Sequence, residues 1–426
     1  MEWKARLFYY EKLSKSLEPP LNYSSIVELW KLMSKGVLLN GGKTWFSLNK
    51  KGEHCEMTSI TECLDSHTFE IKSYDPSRFG VIAHFSKNEI FKAHVKTQFL
   101  SPGVTYTVNL VFELTTIVNL TDCHPISLKY KLQGETETLN PYLSYMREDG
   151  WYMAELYQFT SDERVVDLEI LFDVFDDIYV DGIEFWPLEK SVMKHKDENQ
   201  PISDSDANWK ENLPADYEDI MKWSIDSVQW TTKKEAYSII RNGFLIDDGQ
   251  KWFSIDKNGK KCHMLSATDV CIDENIYTMP CPESRFGEAI GCHSGGFIIR
   301  SKIKSQLVSS QTTYASYLVY KLPKNQSGFE APLFVNDEDW GTYIYLASPQ
   351  TPVIRPKDEQ NTYNPLDKQM KGFPLQRSDG WMEVQIWEFR TAATTTEMSH
   401  IRLALITRNI NNLRGLIIQG IEIRPI

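Results

Sequence analysis

Two segments of the sequence combine aromatic rings with carboxylate or amide groups at the spacing of one strand face. They read "REDGWYMAELYQF", from Arg147, and "RSDGWMEVQIWEF", from Arg377. Both alternate in the manner of a half-buried strand. The side chains predicted to face away from the core are Trp151, Met153, Glu155 and Tyr157 in the first segment and Trp381, Glu383, Gln385 and Trp387 in the second. Flat rings beside acceptors could bind the C–H faces and hydroxyls of a sugar. The simpler alternative is that these rings are buried under the long loop inserted before the strand, as large aromatic residues usually are.

The other reactive residues form no recognisable catalytic or metal-binding set. The sequence lacks the H-E-x-x-H, G-x-S-x-G, Walker and protein-kinase motifs. His54 beside Cys55 and His263 beside Cys262 follow the same turn, but one imidazole and one thiol are too few for a tetrahedral site. The acidic run Asp173–Asp181 lacks the spacing and central glycine of a calcium loop, and we expect a solvated hairpin there. The sequence therefore predicts that the protein is not an enzyme and carries no metal and no cofactor.

Composition argues against several classes of partner. The 426 residues carry a formal net charge of -12 and no Lys/Arg-rich run, so we expect no nucleic-acid partner. No run of about 18 apolar residues occurs, and the first residues lack the apolar core of a secretory signal, so we expect neither a membrane span nor export. The 7 cysteines include no C-x-x-C pair and predict reduced thiols in the cytoplasm.

The chain contains two copies of one sequence pattern. "GVLLNGGKTWFSLNKKGEHCEMTS" from Gly36 matches "GFLIDDGQKWFSIDKNGKKCHMLS" from Gly243, and "PSRFG" matches "ESRFG" at the same offset of 207 residues. The offset grows to 230 at the two DGW strands and to 238 where "DGIEFWP" matches "QGIEIRP", so the second copy carries insertions. Such self-similarity indicates a duplicated unit. The sequence predicts domains at 1–190 and 208–426, an acidic linker at 191–207, and an insertion at about 323–376.

The elements that must position these residues are mostly strands. "TYTVNLVFEL" from Thr105 and "TYASYLVYKL" from Thr313 are rich in β-branched and aromatic residues, and glycine-containing turns separate such runs. One helix is predicted at the head of each copy, in "SSIVELWKLMSKG" and "TKKEAYSIIRNG". Each opens with a capping Ser or Thr and closes on a basic residue followed by Gly. The sequence therefore predicts an all-β protein of two tandem sandwiches, each with a short N-terminal helix.

Five motifs, in the same order in both copies, resemble the phloem protein 2 family of plants, which includes the tobacco-agglutinin-type lectins. They are W-F-S-[LI]-[ND]-K-x-G-x-x-C-x-M-x-S, S-R-F, T-Y-x-x-x-L-V-[FY]-x-L, D-G-W and G-I-E-[FI]-x-P. The resemblance covers nearly the whole chain and is nearest to a multi-copy subgroup whose units often follow a protein kinase domain. It implies a jelly-roll-like sandwich, a cytoplasmic or nuclear location, and binding of N-acetylglucosamine oligomers or N-glycan cores on glycans or glycoproteins. A role in defence or stress, and protein partners including kinases, are further implications.

The chain departs from the family where the resemblance implies a sugar would bind. Lectin members carry two tryptophans before S-R-F that stack on the sugar, whereas "ITECLDSHTFEIKSYDPSRF" and "ATDVCIDENIYTMPCPESRF" carry none. The candidate sugar-binding residues are the nearest aromatic substitutes and their polar neighbours, together with the acids of the DGW strands: Phe69, Tyr74, Glu155, Asn275, Tyr277 and Glu383. Losing both indoles should weaken stacking by about 1 kcal/mol or more per ring.

Two functions therefore remain open from the sequence. The chain is either a tandem lectin whose two sites add avidity on multivalent glycans, or a non-catalytic protein-interaction scaffold that keeps the family sandwich with degenerate sugar sites.

Overall fold

The protein folds into two compact units, one formed by residues 1–193 with 349–365 and the other by residues 194–348 with 366–426. The computed structural model describes residues 21–64, 69–115, 123–147, 149–162, 165–188, 209–226, 228–293, 295–326, 328–336, 341–354, 362–363, 372–392, 399–407 and 413–426. The predicted acidic linker and part of the predicted insertion lie outside these ranges, and the predicted domain boundaries stay predictions. None of the described helices is long and apolar enough to cross a membrane.

The first unit contains two sheets. Its strands are β1 (Val37–Leu39), β2 (Thr44–Leu48), β3 (His54–Ser59), β4 (Glu70–Ser73), β5 (Val81–Phe85), β6 (Glu89–Lys96), β7 (Thr105–Leu114), β8 (Cys123–Pro125), β9 (Leu128–Leu132), β10 (Leu143–Met146), β11 (Tyr152–Thr160), β12 (Asp167–Val174), β13 (Ile178–Pro187), β24 (Thr351–Ile354) and β25 (Thr362–Tyr363). The large sheet has the order β1-β2-β3-β13-β7-β11-β10-β8, with β5 and β4 beside β13 and with β24 and β25 beside β11. The small sheet has the order β6-β12-β9.

The second unit repeats this architecture. Its strands are β14 (Phe244–Ile246), β15 (Lys251–Ile255), β16 (Lys261–Ser266), β17 (Cys271–Ile272), β18 (Ile276–Pro280), β19 (Glu288–Cys292), β20 (Phe297–Ile303), β21 (Thr313–Lys321), β22 (Leu333–Asn336), β23 (Gly341–Ile344), β26 (Leu375–Gln376), β27 (Met382–Arg390), β28 (Ser399–Thr407) and β29 (Ile417–Pro425). The large sheet has the order β14-β15-β16-β29-β21-β27-β26, with β19 and β18 beside β29, and the small sheet has the order β17-β20-β28-β22-β23. The shared strand order of the two large sheets reflects the duplication seen in the sequence.

The hydrophobic core of each unit lies between its two sheets. In the first unit, Phe91 and Phe172 of the small sheet pack with Phe85 and Phe112 of the large sheet. The ring of Phe91 stacks at 3.8 Å on Phe85 and at 4.7 Å on Phe172, measured between centroids. Along β6 the buried residues alternate with more exposed ones, as a strand packed on one face requires. The predicted all-β architecture is confirmed.

The helix predicted at the head of each copy is present. The helices are α1 (Ile26–Lys35), α2 (Ile60–Cys63), α3 (Trp209–Asn212), α4 (Tyr217–Met221), α5 (Lys233–Asn242) and α6 (Ala267–Val270). Ser25 caps α1 by accepting a hydrogen bond from the Glu28 amide, and Thr232 caps α5 within a complete capping box. Each of these two helices ends at a glycine with positive φ, as the sequence pattern indicated.

A β-bulge in the DGW strands changes which side chains face outward. In β27 the pairing with β21 skips Ile386, between Gln385 and Trp387. An extra residue reverses the alternation beyond it. Trp387 therefore packs against the core of the second unit, and its counterpart Tyr157 is buried in the core of the first. The prediction that both rings face away from the core was wrong.

The predicted hairpin in the run Asp173–Asp181 was also wrong. Strand β12 belongs to the small sheet and β13 to the large one, so the run carries the chain from one sheet to the other. Asp181, the last residue of the run, lies within β13 and is 1% exposed.

Candidate functional site

Four charged side chains from the repeated motifs meet on the outer face of the first unit's large sheet, the face turned away from the small sheet. Arg78 comes from S-R-F, and Glu184 comes from G-I-E. Asp149 is the first residue of D-G-W, and Arg147 lies two residues before it. Glu184 Oε1 accepts hydrogen bonds from Arg78 Nη1 at 2.9 Å and from Arg147 Nη1 at 3.1 Å. Asp149 Oδ2 accepts from Arg147 Nη2 at 2.8 Å and from Arg78 Nη2 at 3.2 Å. Each carboxylate is therefore bound by both guanidinium groups.

Burial dominates the electrostatics of this cluster. The Glu184 side chain is 2% exposed, and burial raises the pKa of Glu184 to about 7, although Arg147 opposes that rise. The guanidinium groups favour the ionised carboxylate but offset only part of the cost of its loss of water. Removing one partner would leave a buried charge poorly neutralised and would therefore destabilise the fold.

Two indole rings flank the charged cluster. The guanidinium carbon of Arg78 lies 4.0 Å from the ring centroid of Trp45, a cation–π arrangement. Trp151 is buried, and its Nε1 donates a hydrogen bond to the carbonyl of Pro76 at 3.3 Å. The ring therefore packs beneath the S-R-F loop of its own unit. Burial was the alternative interpretation of this ring, but the covering segment is S-R-F and not the inserted loop.

The serine of S-R-F attaches the loop to the sheet. Its hydroxyl donates a hydrogen bond to Asp181 Oδ1 at 2.6 Å and accepts one from the Phe79 amide at 3.0 Å. Burial raises the pKa of Asp181 to about 7, and the Ser77 hydroxyl opposes that rise. The loop that follows β4 is thereby held in one position over the outer face.

The second unit has a corresponding charged cluster, whose described bonds involve Arg377 and Arg424. Arg377 binds Glu383 at 2.9 Å and also binds Glu422 and Asp379. Arg424 binds both oxygens of Glu383, at 2.7 and 2.5 Å. Burial alone would raise the pKa of Glu383, but Arg424 and Arg377 outweigh it and hold that pKa below its usual value. The carboxylate of Glu383, a candidate sugar-binding residue, therefore already accepts hydrogen bonds from two arginines.

The indoles of the second unit have matching positions. Arg285 lies 5.4 Å from the ring centroid of Trp252. Trp381 is 1% exposed and packs with Met264 and Val319 on the outer face. In both units this part of the large sheet therefore carries ion-paired charges, one buried indole and one half-buried indole.

The structure separates the candidate residues of the first unit. Phe69 packs against the sandwich core, with its ring centroid 5.1 Å from that of Phe85. Glu155 is half-buried and accepts a hydrogen bond from Gln158 Nε2 at 2.7 Å. Burial raises the pKa of Glu155 to about 7. Of the three candidates, Tyr74 is the one that the S-R-F loop brings to the outer face.

The ring of Tyr74 is held in a fixed position. Its hydroxyl donates a hydrogen bond to Glu113 Oε2 at 2.5 Å, and this bond raises the pKa of Tyr74 to about 12. Its ring meets the edge of Trp151 at 5.9 Å and lies nearly parallel to the ring of Tyr179 at 6.5 Å, both measured between centroids. Tyr74 and Tyr179 are both half-buried, so part of each ring is in contact with solvent.

Charged side chains surround this tyrosine pair. Lys72 Nζ lies 5.0 Å from the ring centroid of Tyr179 and 3.4 Å from its hydroxyl. Glu70 Oε2 lies 3.3 Å from Lys72 Nζ and 3.1 Å from His84 Nδ1. The His84 ring is itself 5.1 Å from that of Tyr179. The outer face of the first unit therefore combines two aromatic rings with donors and acceptors at their edges.

The second unit exposes a different aromatic residue. Tyr277 on β18 is 41% exposed and stacks on His293 with 4.4 Å between centroids. Its ring covers Gly291 of the neighbouring strand, where a Cβ would lie 2.5 Å from the ring. The backbone and side-chain amides of Asn275 both donate to Asp273 Oδ1 at 2.8 Å. Asn275 and Tyr277 therefore lie close together along one short segment.

Several residues of these faces escaped the sequence interpretation. Arg78, Arg147 and Glu184 lie in the repeated motifs, and their repetition was the signal that could have identified them. Tyr179 lies in the acidic run that was interpreted as a hairpin. Among the residues that the structure describes, no group of three or more His, Cys, Asp or Glu could hold a metal ion.

The two units define a duplicated all-β module with a charged cluster in each unit and different solvent-accessible aromatic residues on the two large sheets. The profile of the phloem protein 2 family matches residues 55–187 and 260–425. The chain belongs to the phloem protein 2 family, as the sequence motifs indicated.

Relatives from Arabidopsis thaliana support this assignment. F-box protein PP2-B10 is 34% identical over 235 residues, covering 52% of this chain and 80% of the relative. F-box protein SKIP3 is 29% identical over 237 residues, covering 52% of this chain and 76% of the relative. Among solved structures, the tandem CBM22-1–CBM22-2 domain of Paenibacillus barcinonensis Xyn10C overlaps 87% of this chain and 96% of that chain, at 10% identity and a TM-score of 0.20. That score is too low to support any argument about fold or function.

Proposed function

We propose that the chain binds carbohydrate through the outer faces of its large sheets, with N-acetylglucosamine oligomers or N-glycan cores as ligands. The observation that carries the proposal is the half-buried, partly solvent-accessible pair of Tyr74 and Tyr179 in the first unit. Aromatic rings bind the C–H face of a sugar and the methyl of an acetamido group, while polar groups at their edges bind hydroxyls. Lys72 and Glu70 supply a donor and an acceptor at the edge of this pair.

Preorganisation compensates in part for the missing family tryptophans. The Tyr74 ring is fixed at its hydroxyl by Glu113 and at its edge by Trp151. A ring already fixed loses little side-chain entropy when a ligand binds. The charged cluster beneath the S-R-F loop acts indirectly, because it holds the segment that carries Tyr74.

The second unit contributes a weaker site built on Tyr277. One exposed ring offers less stacking area than a pair, and the positions equivalent to Tyr74 and Tyr179 carry Cys281 and Ile417. Two linked sites of unequal strength still add avidity on a multivalent glycan. The ligands in this proposal are glycoproteins of the cytoplasm or nucleus, and the process is defence or stress, both of which follow from the family resemblance.

A second candidate function is a protein-interaction scaffold. The names of the relatives favour it, because PP2-B10 and SKIP3 are both described as F-box proteins. In this alternative the same exposed faces contact a protein partner and no longer bind sugar.

Calorimetric titration of the full chain with N,N′,N″-triacetylchitotriose tests the proposal. We expect millimolar or tighter binding, and at least a tenfold loss of affinity in Tyr179→Ala. Ile90→Ala is the matched control, since Ile90 is 60% exposed and lies on the small sheet. Carbohydrate binding at this face would be rejected if the folded protein gave no heat of binding at millimolar sugar. It would also be rejected if Tyr179→Ala and Ile90→Ala lost affinity for the sugar equally.

A further inference from the structure

A strand from the second sequence copy completes the large sheet of the first unit. Strand β24 runs parallel to β11, pairing Val353 with Gln158 and Ile354 with Phe159. Strand β25 pairs in turn with β24, through Thr351–Tyr363 and Pro352–Thr362. We call β24 and β25 together the arm. Its residues lie within the predicted insertion of the second copy, yet they belong to the first compact unit.

The arm lies on a part of the β11 edge that no described strand of the first sequence copy pairs with. Strand β10 pairs with the beginning of β11, through Tyr152 and Met153. The arm pairs with the end of β11, where Gln158 is 2% exposed. An uncovered strand edge presents N–H and C=O groups that can template another strand.

Among the described residues of the second unit, no strand pairs with the corresponding edge. Strand β27 is the counterpart of β11, and the positions equivalent to Gln158 and Thr160 carry Glu388 and Arg390. Both side chains are exposed, and Phe389 between them is half-buried. The corresponding Phe159 is 5% exposed. The difference in burial agrees with the arm as the cover of this edge.

The described contact between the arm and β11 is short. Among the residues that the structure describes, its ladder spans two residue pairs, whereas β11 pairs with β7 over eight. Pro352 within β24 has no amide hydrogen to donate. A segment of the same chain competes for this edge at a high effective concentration, so an added peptide must compete with the arm.

We propose that the outer edge of β11 at Gln158 and Phe159 is a peptide-binding site that works by strand addition. Its ligand is an extended segment of a partner protein, rich in β-branched residues like the Thr-Pro-Val-Ile that occupies the edge here. Backbone hydrogen bonds supply the affinity, and the tethered arm closes the site until it is displaced. This site is separate from the tyrosine pair and independent of sugar binding.

The test uses a labelled peptide and full-length variants. The probe is fluorescein-labelled Gln-Thr-Pro-Val-Ile-Arg-Pro, the sequence of residues 350–356, and the readout is fluorescence anisotropy. The double variant Val353→Pro/Ile354→Pro removes both amides of the paired arm residues. The control Val353→Thr/Ile354→Thr keeps both amides and the β-branching.

We expect the proline variant to bind the peptide at least tenfold more tightly than the wild-type chain and the threonine control, and not to bind a scrambled peptide. A second variant, with residues 350–356 replaced by a Gly/Ser segment of equal length, should behave like the proline variant. Equal affinity of all chains for the peptide would overturn the proposal. It would also be overturned if neither the proline variant nor the Gly/Ser variant bound the peptide while their circular dichroism spectra matched that of the wild-type chain. Concentration-dependent dimers of the wild-type chain that exclude the peptide would also overturn it, because a second copy's arm would then be the ligand.

Discussion

Glu56 and His263 occupy the same position in the two sequence copies, and both are buried. Glu56 lies opposite Phe46 on the neighbouring strand, and His263 lies opposite Phe253. Glu56 accepts backbone hydrogen bonds from Gln98 and Phe99, each at 2.8 Å. Burial raises the pKa of Glu56 to about 7 and lowers the pKa of His263 to about 3. Burial disfavours the charged form of both groups, so one position gives the two units opposite responses to pH.

The first prediction concerns Glu56. Because its pKa is raised on folding, the folded state binds more protons between about pH 4.5 and 7, and the free energy of unfolding falls as pH rises through that window. Glu56→Gln keeps an acceptor for the two amides and should remove this fall, which we estimate at about 2 kcal/mol. Urea unfolding at each pH measures it. An unchanged slope in Glu56→Gln would contradict the assignment.

The second prediction concerns His263. Because its pKa is lowered on folding, the neutral imidazole contributes stability that is present above about pH 6.5 and is lost as pH falls toward 3. His263→Gln should flatten the loss between pH 6.5 and 5, about 2 kcal/mol in the wild type. The exposed His94 provides the control, and His94→Gln should leave the acid loss in place.

The third prediction concerns the charged cluster of the first unit. Glu184→Ala leaves Arg78 and Arg147 without their shared buried partner, and we expect a loss of about 3 kcal/mol in the free energy of unfolding. Asp149→Ala removes a carboxylate that is 38% exposed, and this control should cost less than about 1 kcal/mol. Equal costs would mean that burial does not determine the strength of the cluster.

The fourth prediction concerns the glycine that ends α1. Gly36 has φ 92, and a Cβ there would lie 2.2 Å from Trp45 Nε1. Gly80 has φ 70 but open space around a Cβ. Gly80→Ala should therefore introduce backbone strain without a clash and lower the free energy of unfolding by about 1 kcal/mol. Gly36→Ala should cost at least about 2 kcal/mol more, because the indole beneath Arg78 must shift. Similar melting temperatures for the two variants would contradict this packing.

Local sequence signals predicted much of the fold. Period-2 alternation, glycine turns and the capping residues Ser25 and Thr232 depend on near neighbours, and they led to the strands and to both N-terminal helices. The bulge at Ile386 could not be predicted in this way. An extra residue in a strand changes pairing without changing composition, so Trp387 was placed on the wrong face.

The candidate site was less predictable because it depends on contacts between distant segments. Tyr179 is 105 residues from Tyr74 along the chain, and a sheet crossing brings the two rings together. Phe69 has the residue type of a sugar platform but faces the core. Glu383 has the residue type of a sugar acceptor but is bound by Arg377 and Arg424. The types and order of the residues identified the family. The direction in which each side chain points and the groups that it binds could be learned only from the structure.

The most direct measurement is an NMR titration of the full chain, with ¹³C-labelled tyrosine rings, against N,N′,N″-triacetylchitotriose. We expect the ring signals of Tyr74 and Tyr179 to shift first and those of Tyr277 to shift at higher sugar concentration. The fully buried rings of Tyr130 and Tyr320 should not shift. Saturable shifts confined to other tyrosines, or no shift at millimolar sugar, would contradict the claim that these outer faces bind carbohydrate.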